Sequence, residues 1–256
     1  RHIIGTSIVE IGKEFRIEAR ETIQKIFTSL ASDLGDELIA KAVLPVESQK
    51  MAMPVFIRDY TDFYSSKNHA YNIGVMFRGP DNALQPNWLH LPVGYHGRAS
   101  SIVIDGTPIT RPKGQITMDD KTPQWSECKR LDFELEMGFF TYDGKPLGDS
   151  ITTAEAEEFI FGMCLFNDWS ARDLQMLEMK TNFGPVKSKD FACSYGPFIV
   201  TPDSLVDKAT DRPGVYDLSM TAKVNGKELS RGNFNDIYWS FGDIIARASQ
   251  SVMLGP

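Results

Sequence analysis

The chain has 256 residues, 42% hydrophobic and 24% charged, with a net charge of −7 at pH 7 and a pI of about 5.2. That length suits one large domain, or one domain with a fragment of another, and the composition is that of a globular protein able to bury a core without staples. The acidic balance argues against nucleic acid or an anionic membrane as the main partner, and no apolar run approaches the ~20 residues that span a bilayer.

Three cysteines, Cys128, Cys164 and Cys193, are odd in number and far apart, with no Cys-x-x-Cys spacing. They argue against a disulfide framework and for a reducing compartment, the cytoplasm. The chain begins with Arg1 and stops at Gly255-Pro256 directly after an apolar run, which reads as a piece of a longer protein.

In chain order, Ile23, Ile26, Phe27, Leu30 and Leu34 form a helical stripe over residues 18–34. Residues 35–58 read as short elements broken by Pro45 and Pro54. From Gly74 to Gly114 the chain is rich in Gly and Pro, yet Trp88, Tyr95, His90 and His96 mark it as an ordered loop, and a loop that long is usually functional. Residues 100–106 predict a strand, and 130–142 another. Thr152 to Glu155 reads as a capping box opening a helix through Phe159. Residues 161–170 read as a buried strand ending in a polar turn. Strands follow at 196–201 and 215–224, with a hairpin turn at Asn225-Gly226. A final helix is predicted over 235–249, with Ile237, Phe241, Ile244, Ile245 and Ala248 inward. The body is thus α+β and β-rich.

The strand Arg130 to Phe140 poses a question. Leu131, Phe133, Leu135 and Met137 form one face at period two, and Asp132, Glu134 and Glu136 the other. Glu134 and Glu136 project the same way, roughly 7 Å apart at the Cα. Like charges so placed repel and raise each other's pKa, and a hard cation taking oxygen ligands removes the conflict. Asp168 and Asp62 are further acids within reach of such an ion. Three other readings stand beside it: the wet face of an edge strand, a turn cap at Asp168, and a paired-carboxylate glycosidase. No His or Cys cluster has zinc spacing.

The segments "DYTDFYSSKNHAYNIGVMFRG" (59–79), "NWLHLPVGYHGRASS" (87–101), "LDFELEMGFF" (131–140) and "NDWSARDLQ" (167–175) resemble the fumarylacetoacetase family. The resemblance implies a mixed β-roll catalytic domain, here residues 51–256 and truncated at its C-terminal end. A small SH3-like domain precedes it, of which residues 1–50 would be the last part. It also implies a homodimer, and hydrolysis of a carbon–carbon bond in a dicarboxylic β-diketone, 4-fumarylacetoacetate, to fumarate and acetoacetate. The matching positions are Asp62, Glu134, Glu136 and Asp168 as ligands of Ca²⁺ or Mg²⁺, and His69 as catalytic base. Tyr64, Arg78, Tyr95 and Gln175 match substrate contacts. Arg172, Gln175 and Lys189 match the groups around the developing oxyanion.

Departures begin at Met176. The family's substrate-contacting Tyr is absent near Met179, and the segment before Gly184-Pro185 is one residue longer. Cys193 stands, with Lys189, where the family places a second ion, and a thiol is a poor Mg²⁺ ligand. Cys164 and Cys193 otherwise read as core residues. The C-terminal part is closer to the wider superfamily, which keeps open an acylpyruvate hydrolase or a 2-oxo acid decarboxylase, isomerase or hydratase. A calcium-stabilised structural module is the non-catalytic alternative.

Overall fold

The computed structural model describes residues 4–29, 35–117 and 122–256. In chain order these form α1 (Ile4–Ile11), α2 (Lys13–Ser29), α3 (Asp36–Ala42), β1 (Thr61–Phe63), α4 (Lys67–Arg78), β2 (Gly94–His96), β3 (Ile102–Ile104), β4 (Lys113–Thr117) and β5 (Pro123–Glu127). Then come β6 (Leu131–Thr141), β7 (Ile160–Ala171), α5 (Arg172–Glu178), β8 (Cys193–Tyr195), β9 (Ser219–Val224), β10 (Lys227–Asn233) and α6 (Phe241–Ala248). The result is the β-rich α+β fold the sequence predicts. No strand forms among the described residues before Thr61, so the expected SH3-like module is not represented in them.

A four-stranded mixed sheet in the order β3-β8-β7-β6 organises the molecule, and β1-β2, β4-β5 and β9-β10 form two-stranded sheets around it. Strands β6 and β7 pair antiparallel along their length, with Glu134 opposite Asp168 and Glu136 opposite Phe166. Strand β8 pairs antiparallel with β7, setting Cys193 opposite Asp168, and parallel with β3. Long strands paired this way form a rigid floor, because the amides that face the partner strand are held across the ladder.

One core cluster joins Ile151, Ile160, Met163, Tyr216 and Phe234 to Phe241, Ile244 and Ile245 of α6. Full burial of an Ile or Phe side chain contributes about 1.5–3 kcal/mol, so this cluster fixes α6 against the start of β7. A second cluster, Ile102, Cys164, Phe166, Cys193 and Tyr195, packs around β7 and β8 next to the acidic residues. All three cysteines are free and buried, as the core reading of Cys164 and Cys193 expects.

Several elements differ from the sequence reading. Helix α2 starts at Lys13, and the side chains at the centre of its predicted stripe face out: Ile23 is 55% exposed and Phe27 44%. Leu30 and Leu34 lie outside the described residues. Arg16, only 6% exposed, anchors the helix by donating to Tyr142 Oη and Asp203 Oδ1, both at 3.0 Å. At 152–155, Glu155 accepts from Thr152 N at 3.0 Å and Thr152 Oγ1 at 2.7 Å, which is one half of a capping box; the other half is missing, because Glu155 N donates to the Thr152 carbonyl at 3.1 Å and not to its hydroxyl. Yet only a 3₁₀ turn follows (Ala156–Phe159), because the apolar run of β7 takes over at Ile160. Residues 196–201 contribute one bridge, Met163 to Val200; Pro197 has no N–H to donate to a ladder. In 215–224 the strand begins only at Ser219. The last helix begins at Phe241 because the Ser240–Asp243 capping box starts it there, which leaves Ile237 on the preceding turn.

The hairpin at Asn225-Gly226 forms as predicted, with φ of 50° and 79°. Positive φ at both central residues matches the right-handed twist of the flanking strands. The 74–114 stretch is ordered around buried Trp88, whose indole donates to Tyr64 O at 2.8 Å and whose carbonyl accepts from Trp239 Nε1 at 3.0 Å. Helix α4 at its start was not anticipated.

Candidate functional site

Three carboxylates converge. Oxygens of Asp62 on β1, Glu136 on β6 and Asp168 on β7 lie within 4.8 Å of one another. Asp168 is 1% exposed. Tyr95, opposite Asp62 in the β1–β2 pair, donates its phenol to Asp62 Oδ2 at 2.8 Å. Lys189 Nζ bonds to Asp168 Oδ2, and Cys193 Sγ donates to Asp168 Oδ1 at 3.3 Å. Lys189 and Cys193, expected at a second ion, therefore both hold the first cluster. No second group of three or more such side chains occurs among the described residues.

The electrostatics fit a cation. Burial pushes the carboxyls of Asp62, Glu136 and Asp168 above the usual range, and Glu136 goes well above it under the added repulsion of Asp62, Glu134 and Asp168. Lys189 opposes the rise in all three. The cluster thus carries more negative charge than its neighbours offset. Oxygen-only donors at this spacing can hold a hard divalent ion.

Glu134 behaves differently. The sequence reading made it a fourth ligand, but it lies outside the three-carboxylate cluster. It accepts from Arg172 Nη2 at 2.7 Å and Lys189 Nζ at 3.1 Å, and His69 Nε2 stands 3.7 Å away. Burial pushes Glu134 up, but Lys189, His69 and Arg172 together hold it at about 2, so it stays ionised. The divergence from Glu136 follows from register: Glu134 lies at the β7 end where Arg172 and the Lys189 loop approach, and Glu136 lies toward β1.

Arg172 is fixed at three nitrogens: Nε to Asp132 at 2.8 Å, Nη1 to Gln175 Oε1 at 3.0 Å and Nη2 to Glu134. With its oxygen engaged, Gln175 keeps its amide NH₂ as the donor end. His69 is the third residue of α4, whose N-cap Ser66 accepts from the His69 N–H at 3.3 Å. Burial lowers the His69 pKa, Arg172 and Lys189 lower it further, and Glu134 partly restores it. The ring is therefore neutral at pH 7. Tyr64 stacks edge-on against it at 5.6 Å and donates to Ala70 O at 3.2 Å; burial raises that phenol to about 12.

Arg78 lines the same cleft, whose volume is about 2050 Å³. Its Nε and Nη2 donate to the carbonyls of Asn82 at 3.0 Å and Ala83 at 2.6 Å. It thus braces the turn packed on Gly74, where a Cβ would come within 1.8 Å of Ala83 O. Met179, Lys180 and Phe183 line the cleft where the missing Tyr was expected.

Sequence reasoning missed three contributors. Asp132 shares the polar face of β6 and holds Arg172, and the alternation alone pointed to it. Tyr60 packs 5.4 Å from the Phe166 ring, with its phenol pushed far up by burial and by Asp62, Glu136 and Asp168. Glu178 leaves no sequence signal. For α4 the signals existed: Ser66 as N-cap, then Gly79-Pro80 with Gly79 at φ 78°.

Fold and site together define a β-rich α+β protein with a carboxylate cation site beside a His–Glu–Arg–Lys network. Residues 59–256 match the family model described as "Fumarylacetoacetate (FAA) hydrolase C-terminal", and the chain belongs to that family. It is 48% identical over 268 residues to a fumarylacetoacetase of Emericella nidulans, covering 92% of this chain and 62% of that one. To the fumarylacetoacetase of Bos taurus it is 44% identical over 258 residues, covering 91% and 61%. The chain thus spans less than two thirds of the length of these curated relatives. Among solved structures, fumarylpyruvate hydrolase from Pseudomonas aeruginosa, in complex with Mn²⁺ and pyruvate, shares the fold. Its TM-score is 0.52 at 17% identity, over 84% of this chain and 78% of that one. No helix among the described residues is long and apolar enough to cross a membrane.

Proposed function

We propose that the protein of which this chain is part hydrolyses a carbon–carbon bond in a β-diketone, with 4-fumarylacetoacetate as substrate and a divalent cation, Mg²⁺ or Ca²⁺, as cofactor. The observation that carries this reading is the convergence of Asp62, Glu136 and Asp168 within 4.8 Å, next to a neutral imidazole. The names of the relatives and the Mn²⁺ complex of the solved structure support it. Asp62, Glu136 and Asp168 would hold the ion, with Glu134 within reach on the same strand face. When bound, it supplies Lewis acidity toward the two oxygens of the dicarbonyl.

The chain's own residues do the rest. His69 takes a proton from the attacking water at Nε2, and ionised Glu134, 3.7 Å away, stabilises the imidazolium that forms. The oxyanion that develops at the attacked carbonyl is met by the Lys189 ammonium and the Gln175 amide NH₂, both preorganised by their own bonds. The bond between that carbon and the methylene then breaks. Its electron pair stays on the acetoacetate fragment as an enolate, which recovers the proton from His69. One water is consumed, and fumarate and acetoacetate result. Arg172, engaged at three nitrogens, holds Glu134 and Gln175 in place. Tyr64 and Tyr95 border the site, and Arg78 would meet the distal carboxylate through Nη1.

We place the protein in the cytoplasm, where buried free cysteines stay reduced, and as a homodimer. The test compares loss of diketone absorbance with fumarylacetoacetate and with a short acylpyruvate. Faster turnover of fumarylacetoacetate, with fumarate and acetoacetate as products, supports the assignment. Turnover of the acylpyruvate alone would move the chain to the acylpyruvate hydrolases.

A further inference from the structure

We infer that Glu178 is a positioning residue: its carboxylate clamps the loop that delivers Lys189 into the carboxylate site. Glu178 is the last residue of α5, where the exposed carbonyls of a helix end disfavour a negative charge. Its partners lie across the loop. Oε2 accepts from Val186 N at 2.9 Å, Ser188 N at 3.2 Å and Ser188 Oγ at 2.7 Å, and Oε1 accepts from Lys187 N at 2.6 Å. Three successive backbone N–H groups aimed at one carboxylate make an anion nest, here filled by the chain itself.

The clamp is one residue from the catalytic lysine. Ser188 is fully buried, and its carbonyl accepts from Ala171 N at 2.9 Å, which ties the loop to the end of β7. Lys189 N and Asp190 N both turn back onto Val186 O, at 3.1 and 2.9 Å. The backbone of 186–190 is thus held from both sides, and Lys189 leaves it toward Asp168 and Glu134. A lysine carries large rotamer entropy, so a tethered backbone is what keeps its ammonium between two carboxylates. Glu178 does not line the cleft and acts only through Lys189. Charge-assisted bonds to a carboxylate are about twice as strong as neutral ones. Glutamine keeps the shape but offers a single acceptor oxygen and an NH₂ that meets N–H donors.

The inference rests on the proposed role of Lys189 in hydrolysis, so the test has two arms. In the first, amine acylation followed by mass spectrometry measures the reactivity of Lys189 in the full chain. Glu178→Gln should raise its labelling at least about tenfold, as expected if charged hydrogen bonds are lost. Ser188→Ala, which removes one of the four bonds, should raise it less. Unchanged labelling in Glu178→Gln would overturn the proposal, and this arm needs no activity. In the second, Glu178→Gln should lower kcat for fumarylacetoacetate about 10–150-fold with KM nearly constant. In a Lys189→Met background it should add less than about threefold, because the two act as one unit. Multiplicative losses would show a structural role independent of Lys189 and overturn the proposal. Absence of turnover in the wild type would sink the hydrolase reading and leave the labelling arm to decide.

Discussion

Lys189→Met should cost the metal-free protein far more stability than the metal-loaded one. Lys189 is 8% exposed and contacts Asp168 and, at 3.1 Å, Glu134. Removing one partner of a buried ion pair leaves uncompensated charge and costs about 3–5 kcal/mol. In a domain of this size each kcal/mol moves Tm by roughly 2–4 °C, so the loss in EDTA should be about 6–20 °C. A divalent ion among Asp62, Glu136 and Asp168 supplies positive charge to Asp168 and to the two neighbouring carboxyls whose raised pKa Lys189 also opposes. Saturating Mg²⁺ or Ca²⁺ should therefore recover most of the deficit. Thermal melting of wild type and variant, each in EDTA and in excess metal, reads both effects. An unchanged Tm in EDTA, or equal deficits with and without metal, would refute the claim that Lys189 and the cation serve one pool of negative charge.

His69→Ala should lower kcat about 10²–10⁴-fold and leave metal affinity intact by calorimetric titration; a rise in KM at constant kcat would reassign His69 to binding. Arg78→Leu should lower kcat/KM for fumarylacetoacetate about 10–150-fold and spare a short acylpyruvate. Equal losses on both would leave Arg78 only its bonds to the Asn82 and Ala83 carbonyls. The metal-free protein should lose stability as pH rises. Asp62 and Glu136 are raised above their unfolded values and Asp168 is raised to about 7, so the folded state binds more protons than the unfolded state over that window. The Asp168 contribution is present below about pH 4 and lost as pH rises through about 7, and those of Asp62 and Glu136 are lost as pH rises through their own raised values. A Tm in EDTA that climbed with pH over this range would contradict the sign.

The alternation along β6 exposed the acidic face, and the apolar run of 161–170 located β7, because each strand is long and its pattern is set by one rigid sheet. The hairpin was legible because Asn225-Gly226 suits few other conformations. Which acids meet was less legible. Glu134 and Glu136 are equivalent by spacing, and only the arrival of Arg172 and the Lys189 loop from one end separates them. Tyr95 read as a substrate contact, whereas pairing with β1 turns its phenol onto Asp62. The bonds at Glu178 reach eight to ten residues along the chain to backbone N–H groups, which no side-chain pattern reports. The 23–27 stripe misled because apolar periodicity gives a face without saying whether anything covers it.

The most direct measurement is turnover of fumarylacetoacetate by the EDTA-treated full-length protein of which this chain is part, followed by the loss of diketone absorbance before and after Mg²⁺ or Ca²⁺ is restored, for wild type and Glu136→Gln side by side. Glu136 has no cationic partner as close as those of Glu134, so its substitution tests ion binding with least collateral disturbance. The account predicts no turnover in EDTA, recovery of the wild type with metal, and a recovery in Glu136→Gln that needs far more metal or fails. Full activity in EDTA, or a Glu136→Gln variant that titrates like wild type, would contradict it.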